Sequence, residues 1–190
     1  MQTLIFNGST RKNGDTEALI NALVSSLCGE IKIVSSYNSN ISPCVDCRYC
    51  WNNEGCAIDD EMQDIYKFLV TCDNIVLASP IWFSSLSGPL LNMISRFQAI
   101  WAADAFQKKK QLLNAKKGVI IVVGARPKTA DIPTQIAIGI LKHLNVHVPS
   151  VEKIYSLNTD SVSAKDDISA LEKCEKIASL LNNGLSKTIL

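Results

Sequence analysis

Four cysteines lie close together in the first third of the chain, with the spacing C-x2-C-x2-C-x5-C: Cys44, Cys47, Cys50 and Cys56. The chain holds 7 cysteines, so this stretch contains more than half of them. Thiolates three residues apart can converge on one point, and a fourth, reached over a short loop with Gly55, can close a cage. Thiolates bind soft metals, and compact runs of this kind hold iron–sulfur clusters. The spacing therefore predicts a metal or cluster site.

Three states of this cysteine quartet are compatible with the sequence: a [4Fe–4S] cluster, a zinc ion or free thiols. Zinc usually takes two cysteine pairs separated by a longer spacer, which this stretch lacks. A zinc-stabilised interaction protein is nevertheless one functional class compatible with the sequence, and it predicts a colourless protein. Cys28, Cys72 and Cys174 are interpreted separately, as small apolar core residues.

Length and composition predict one domain over residues 1–190, with a Cys-rich loop at 42–58. Hydrophobic residues make up 47% of the chain and the net charge is +1, which favours an ordinary globular protein that binds neither nucleic acid nor membrane. The basic run 108–110 is predicted to be solvated. No signal peptide or spanning segment is evident, so we expect a cytoplasmic protein, where clustered cysteines serve metal or redox chemistry.

Apolar runs alternate with segments of helical periodicity along the whole chain. Five strands are predicted, at Thr3–Asn7, Ile31–Ser35, Asn74–Ser79, Gly118–Val123 and His147–Ile154. Five helices follow them, and this alternation predicts a parallel, doubly wound α/β sheet.

Three details of the helices are also predicted. Asp60 caps a helix start and Gln63 reaches back to it. One apolar stripe, from Leu90 to Trp101, indicates a single helix after the third strand. The last helix runs over 164–181 and ends at 183–184.

The loop after the first strand has the composition of an anion site. Ser9, Thr10, Asn13 and Thr16 offer hydroxyl and amide groups, and Arg11 adds positive charge. Gly8 and Gly14 would let the backbone approach a ligand, and a helix N-terminus follows the loop. The loop matches neither the P-loop nor the dinucleotide fingerprint. It is therefore predicted to hold a phosphate, with an ordinary capped turn as the alternative.

Two further loops are predicted at the same edge of the sheet. Trp82 and Phe83 follow a strand among small polar residues and could stack on a planar ring, although they could also anchor the next helix. Gly124, Ala125 and Arg126 leave room for a flat group and place one cation beside it. A phosphate loop with a ring site beside it indicates a mononucleotide cofactor of the flavin type.

The residues that make up these loops also resemble a known family. F-N-G-S-T-R-K-N-G-D-T, P-C-V-D-C-R-Y-C with G-C-A-I-D-D-E-M, and S-P-I-W-F-S-S-L-S-G-P-L-L-N-M-I-S-R are similar to segments of the flavodoxin-like NAD(P)H-dependent FMN reductase superfamily. The likeness is greatest to its iron–sulfur flavoprotein branch. It implies a flavodoxin-like three-layer sandwich around a five-stranded parallel sheet, with FMN bound non-covalently. Because some relatives with this cysteine pattern hold FMN without a cluster, the resemblance supports the flavin more than the iron.

The resemblance also implies roles for individual residues. Ser9, Arg11, Asn13, Asp15 and Thr16 would form the phosphate loop, where Asp15 replaces the more usual neutral residue and caps the helix instead. Pro80, Ile81, Trp82, Phe83 and Ser85 would border the ribityl chain and isoalloxazine, and Gly124, Ala125 and Arg126 would close the far side. No side chain is assigned as catalytic, because the flavin carries the chemistry.

The function expected from these features is an FMN-dependent oxidoreductase. NAD(P)H or a protein donor would reduce the flavin, which would pass electrons to a small-molecule or protein acceptor. The alternative is a non-catalytic electron carrier, with or without a cluster, although the balance of 19 basic to 18 acidic residues argues against an acidic carrier. A homodimer or homotetramer is expected, since relatives cover the ring with subunit contacts, and Phe97–Phe106 would supply apolar surface for it.

Overall fold

A central parallel sheet organises the described residues, which are 1–109 and 113–183 in this computed structural model. Its parallel strands are β1 (Gln2–Asn7), β2 (Glu30–Ser35), β3 (Asn74–Trp82), β5 (Lys117–Val123) and β6 (Glu152–Ser156), and the short β4 (Ser85–Leu86) pairs antiparallel with β3. The parallel strands lie in the order β2-β1-β3-β5-β6. This is the flavodoxin-like order, whose switch point lies between β1 and β3. The predicted fold class is therefore confirmed.

Helices cover both faces of the sheet. They are α1 (Asp15–Val24), α2 (Tyr49–Asn52), α3 (Met62–Thr71), α4 (Gly88–Ser95), α5 (Gln98–Ala105), α6 (Asp131–His143) and α7 (Ile168–Asn182). Alternate residues along β1 point to opposite layers: Leu4 and Phe6 pack with α3 to α6, whereas Ile5 packs with α1 and α7. Burial on both faces explains why the central strands β3 and β5 are largely apolar, whereas the edge strands β2 and β6 carry charged residues. None of the helices in the described ranges is long and apolar enough to cross a membrane.

The third strand–helix unit differs from the prediction. β3 continues past Ser79 to Trp82, because its end pairs with β4 and forms a hairpin. The single helix predicted over Leu90–Trp101 is broken at Arg96 and Phe97 into α4 and α5. Arg96 is buried and its side chain is used to hold the cysteine loop, as described below.

The last strand and helix also start later than predicted. A 3₁₀ turn occupies Val148–Ser150, because Pro149 cannot donate to a strand ladder, and β6 begins only at Glu152. A second 3₁₀ turn, at Ala164–Asp166, precedes α7, whose start is capped by Asp167. Gly184, at the predicted helix end, lies outside the described residues.

Smaller predictions have mixed outcomes. Cys72 and Cys174 are buried as expected, but Cys28 is exposed, because α1 ends at Val24 and Cys28 lies in the turn to β2. Asp60 does accept a hydrogen bond from the N–H of Met62 at 3.0 Å. Gln63, however, donates to the carbonyls of Cys56 and Ile58 rather than accepting at the helix start. Lys108 and Lys109 are exposed, and Lys110 lies outside the described residues.

Candidate functional site

A cavity of about 190 Å³ lies at the carboxyl edge of the sheet, beside the switch point. Four segments enclose it: the loop after β1, the end of β3, the loop after β5 and the loop after β6. Its lining residues are Ser9, Thr10, Arg11, Asp15, Thr16, Pro80, Ile81, Trp82, Val123, Gly124, Ala125 and Thr159. The three loops predicted from sequence therefore meet around one space.

Some predicted residues lie outside this lining, and two lining residues, Val123 and Thr159, were not predicted as site residues. Asn13, Phe83, Ser85 and Arg126 do not line the cavity, and all but Ser85 are exposed. Thr159 follows β6, and its backbone N–H donates to the carbonyl of Gly124 at 3.2 Å. The rule that all parallel strands end at one edge would have pointed to the loop that carries Thr159.

The loop after β1 is held in shape by its own polar groups. The Ser9 hydroxyl donates to the carbonyl of Arg11 and accepts from its N–H, both at 3.1 Å. The N–H of Asn13, a residue in the left-handed region with φ 56°, donates to the carboxylate of Glu17. Beyond it, the first N–H groups of α1 have no partner within their helix. Free amides, the helix dipole and Arg11 together suit a bound phosphate.

The base of this loop is tightly packed. Gly8 donates its N–H to the carbonyl of Ala78 at 2.8 Å and accepts from the Ser87 hydroxyl at 2.7 Å. A Cβ atom at Gly8 would lie 2.7 Å from both Leu90 Cβ and Ser87 Oγ, so glycine is required by space. Next to it, the buried Asn7 holds the N–H of Ser9 at 3.0 Å. Its Nδ2 atom has no acceptor in the described part of the chain, so this donor is available to a ligand or an ordered water.

Asp15 is the one acidic residue of the cavity lining. Its Oδ1 accepts from the Ser163 hydroxyl and from the N–H of Ala164, both at 2.8 Å. It therefore ties the start of α1 to the turn before α7, whereas the sequence predicted a cap of its own helix. Its charge is favourable next to the α1 dipole but opposes a bound anion.

The end of β3 forms a flat, partly exposed wall. Ile81 packs so closely on Gly124 that a Cβ there would lie 2.8 Å from Ile81 Cδ1. Trp82 is 42% exposed and lines the cavity, which suits stacking on a planar ring. Phe83 and Ser84 form the two-residue turn to β4, with φ values of 47° and 59°. Phe83 is fully exposed at this tip, beyond the lining.

A second cavity, of about 350 Å³, brings the cysteine quartet together. Cys44, Cys47, Cys50 and Cys56 all line it, and none of them is in a disulfide bond. We call this space the thiol cavity. Over the described ranges no three metal-binding side chains are close enough together to hold one metal ion. The four sulfurs therefore share the cavity without meeting at one point.

The chemistry of this donor set favours a cation. Burial raises the pKa of the Cys50 thiol, its own backbone N–H partly opposes this, and the other three cysteines raise it further. Each additional thiolate in the cavity is therefore less favourable unless positive charge enters with it. An iron–sulfur cluster provides such charge and is larger than a single ion, so it suits four cysteines that share a cavity without meeting at one point.

Arg96 holds both ends of the cysteine loop. Its side chain is completely buried and Nη1 donates to the carbonyl of Ser42 at 3.0 Å and to Asp60 at 2.7 Å. Nη2 donates to the carbonyl of Ile58 at 3.1 Å. Burial lowers the pKa of Arg96, but Asp60, and then Tyr66 and Cys56, more than offset this and raise the pKa above its usual range. Cys56 therefore lies close to the guanidinium.

Three other side chains fix the backbone of the loop. Ser95 accepts from the N–H of Cys44 at 2.9 Å. Gln107 donates to the carbonyls of Cys50 and Asn53 at 2.8 and 2.7 Å, and Gln63 donates to that of Cys56 at 3.0 Å. The loop is thus anchored by α3, α4 and the end of α5.

Helix α4 connects the two cavities. At its start Ser87 contacts Gly8 in the loop after β1, and at its end Ser95 and Arg96 contact the cysteine loop. An eight-residue helix is about 12 Å long. Helix α4 therefore links the base of the loop after β1 to the cysteine loop.

Known proteins with related sequences and folds give independent information. An iron–sulfur flavoprotein of Methanocaldococcus jannaschii is 28% identical over 127 residues, which is 65% of this chain and 62% of that protein. An iron–sulfur flavoprotein of Methanosarcina thermophila is 26% identical, covering 90% of this chain and 95% of that protein. The NAD(P)H:quinone oxidoreductase structure from Methanothermobacter marburgensis has a TM-score of 0.71 at 12% identity, covering 96% of this chain and 95% of that one. That structural likeness shows the fold.

The NADPH-dependent FMN reductase family matches residues 1–158, which is most of the chain. The matched region contains the loop after β1, the hairpin at the end of β3, the loop after β5 and all four clustered cysteines. The resemblance inferred from the sequence motifs is therefore confirmed. The chain belongs to the NADPH-dependent FMN reductase family.

Proposed function

We propose that the cavity at the carboxyl edge binds FMN and that the protein is an FMN-dependent oxidoreductase. The observation that carries the proposal is the convergence of an anion-type loop, a helix N-terminus and the exposed ring of Trp82 on one cavity, at the flavodoxin-like switch point. Membership of the FMN reductase family supports the same cofactor.

The size of the cavity defines which part of FMN it would enclose. Pockets that bury a drug-sized ligand measure about 300–1,000 Å³. The enclosed 190 Å³ therefore suits the phosphate and part of the ribityl chain, and the isoalloxazine would lie over the open wall by Trp82. This leaves one ring face accessible to a reaction partner.

Several lining residues would hold the cofactor. Ser9, Thr16 and the first amides of α1 would donate to the phosphate, and Arg11 would balance its charge. Ile81 and Gly124 form the floor, and Trp82 orients the ring. Of the predicted residues outside the lining, Asn13 supports the loop through Glu17, while Phe83, Ser85 and Arg126 would act only at the rim. Bound FMN would supply hydride acceptance and electron transfer.

We propose NAD(P)H as the electron donor and a small molecule or a protein as the acceptor. The names of relatives support this proposal. One relative is an NAD(P)H:quinone oxidoreductase, and others are iron–sulfur flavoproteins. The thiol cavity favours a second arrangement within the same proposal, in which Cys44, Cys47, Cys50 and Cys56 hold a [4Fe–4S] cluster. A cluster would allow single-electron output to a protein partner.

We also propose a homodimer or homotetramer. Trp101 and Phe106 are each 44% exposed, which provides apolar surface. Part of this surface is used within the chain, because Phe106 stacks on Trp51 of the cysteine loop at 4.3 Å between ring centroids. A single domain over 1–190 and a cytoplasmic location remain predictions.

An anaerobic purification followed by rapid mixing tests the function. A yellow protein that bleaches quickly with NADH or NADPH would support the reductase. A yellow protein that reacts with neither nucleotide would instead support the electron carrier. Iron and acid-labile sulfide assays on the same sample report the cluster, and a colourless protein that cannot take up FMN would contradict the proposal.

A further inference from the structure

Arg96 is the largest fully buried side chain among the described residues, and it lines the thiol cavity. Its two terminal nitrogens bridge the segment before the first cysteine of the quartet and the segment after the last. They bind Ser42 on one side, and Ile58 and Asp60 on the other. One side chain therefore sets the distance between the two ends of the cysteine loop.

The third nitrogen of Arg96 is not used in this bridge. Nε is buried and has no hydrogen-bond acceptor within the described ranges. A buried N–H without a partner is unfavourable, so this donor is available to a ligand, an ion or an ordered water. Cys56 lines the same cavity as Arg96 and lies close to its guanidinium.

We propose that Arg96 is the positioning residue of the thiol cavity: it places Cys56 as the fourth ligand of an iron–sulfur cluster and donates Nε–H to sulfur there. The inference rests on the proposed cluster and deepens it. Hydrogen bonds to sulfur and nearby positive charge stabilise the more negative, reduced cluster and so raise its reduction potential. Arg96 would then tune the cluster as well as hold it.

Two variants separate the N–H donors of Arg96 from its charge. The double variant Arg96→Met with Asp60→Asn removes the donors but leaves the net charge unchanged, and it leaves no unpaired buried ion. The control Arg48→Met removes one positive charge from the same cavity wall. Arg48 is exposed, and its guanidinium lies over the Trp51 ring at 4.8 Å. Each protein is loaded anaerobically with ferric iron, sulfide and an excess of a thiol reductant, which supplies the two electrons needed to form a [4Fe–4S]2+ cluster.

The double variant is expected to hold iron about 10- to 100-fold more weakly against a chelator. Its remaining cluster should show a lower midpoint potential and an altered EPR spectrum. Arg48→Met should keep the cluster content and the EPR spectrum of the wild type. Arg96→Lys, which keeps the charge opposite Asp60 but lacks Nε, should resemble the double variant and gives a second reading if the double variant does not fold.

FMN titration of every sample distinguishes the failure of this inference from the failure of the proposed function. Wild-type cluster content, potential and EPR spectrum in both Arg96 variants would overturn the role of Arg96. An equal potential shift in Arg48→Met would overturn it too, since charge alone would then explain the effect. Wild-type protein that binds FMN but takes up neither iron nor sulfide would overturn the inference and leave the flavin site intact.

Discussion

At the scale of single residues, Gly8 shows how tightly the loop after β1 packs against α4 and the sheet. Gly8→Ala would place a Cβ 2.7 Å from Leu90 Cβ and Ser87 Oγ, and 3.1 Å from a backbone carbonyl. We expect a loss of about 1–3 kcal/mol in the free energy of unfolding, as for other overpacked sites. FMN binding should weaken as well, because the loop after β1 must shift.

Gly88 offers a matched control for this substitution. A Cβ at Gly88, the first residue of α4, meets nothing within 4 Å. Gly88→Ala should therefore keep or slightly increase stability, because alanine favours a helix. Urea unfolding of both variants measures the difference, and equal stability of the two would contradict the packing argument.

Asp60 carries the pH dependence of the cysteine loop. Burial raises its pKa, but hydrogen bonds from Arg96, Ser42 and Met62 more than offset this and hold the pKa below its usual range. Because the pKa of Asp60 is lower in the folded protein than in the unfolded chain, where it is about 3.9, the ionised carboxylate stabilises the folded state fully above that pH. This stabilisation is lost as the pH falls through the pKa of the folded state. Asp60→Asn should cost about 3–5 kcal/mol at pH 7.

The difference between wild type and Asp60→Asn should therefore shrink below about pH 4. Asp64 is the control. The hydrogen bond from Lys67 also lowers the pKa of Asp64, but the side chains of Asp64 and Lys67 are both exposed. Asp64→Asn should leave the unfolding midpoint nearly unchanged. Chemical denaturation between pH 3 and pH 7 measures both effects, and a constant difference across this range for Asp60→Asn would refute the assignment.

Residue types were predictable where local chemistry determines them, and contacts were not. The hydroxyl and amide groups of the loop after β1 could be predicted from the sequence because they follow a strand directly. The bridge from Arg96 to Ser42 and Asp60 joins residues 54 and 36 positions apart. No local sequence pattern indicates such a pairing, so the sequence places Arg96 only within the helix predicted over Leu90 to Trp101.

At the scale of elements, the β3–β4 hairpin determines how the two aromatic residues differ. Trp82 lines the cavity, whereas Phe83 lies in a two-residue turn with positive φ at both positions. Turns of this kind favour Asn-Gly, so Phe-Ser gives no sequence signal for one. This explains why the hairpin was predicted as a loop.

The hairpin gives a comparison of two alanine variants. Trp82→Ala should weaken FMN binding about 10-fold, because the ring loses its stacking surface. Phe83→Ala should weaken it much less, because the side chain lies beyond the cavity. Quenching of flavin fluorescence measures both constants. An effect of Phe83→Ala as large as that of Trp82→Ala would show that the tip residue contacts the ring.

The strands were easier to predict than the breaks within helices. β1, β2 and β5 match within a residue or so. β1 and β5 are buried along nearly their whole length and contain apolar runs, whereas β2 lies at the sheet edge and is only partly buried. The break between α4 and α5 leaves the apolar stripe intact, because Phe97 and Ile100 still pack in the core. Periodicity alone therefore could not reveal it.

At the scale of the whole molecule, the flavodoxin-like order places the cavity and helix α4 connects it with the cysteine loop. The general position of the site follows from strand order. The alternation of strands and helices predicted a doubly wound sheet, and the family resemblance implied the flavodoxin-like fold. What the cysteine loop binds does not follow from the backbone, because four cysteines around one cavity suit more than one metal.

The most direct test of the account is a titration of the protein, stripped of flavin, with FMN and with riboflavin, followed by flavin fluorescence. We predict one FMN per chain, and riboflavin at least about 10-fold weaker because it lacks the phosphate that the α1 N-terminus and Arg11 would hold. Equal affinity for the two compounds would contradict the assignment of the loop after β1. Absence of FMN binding would contradict the central claim.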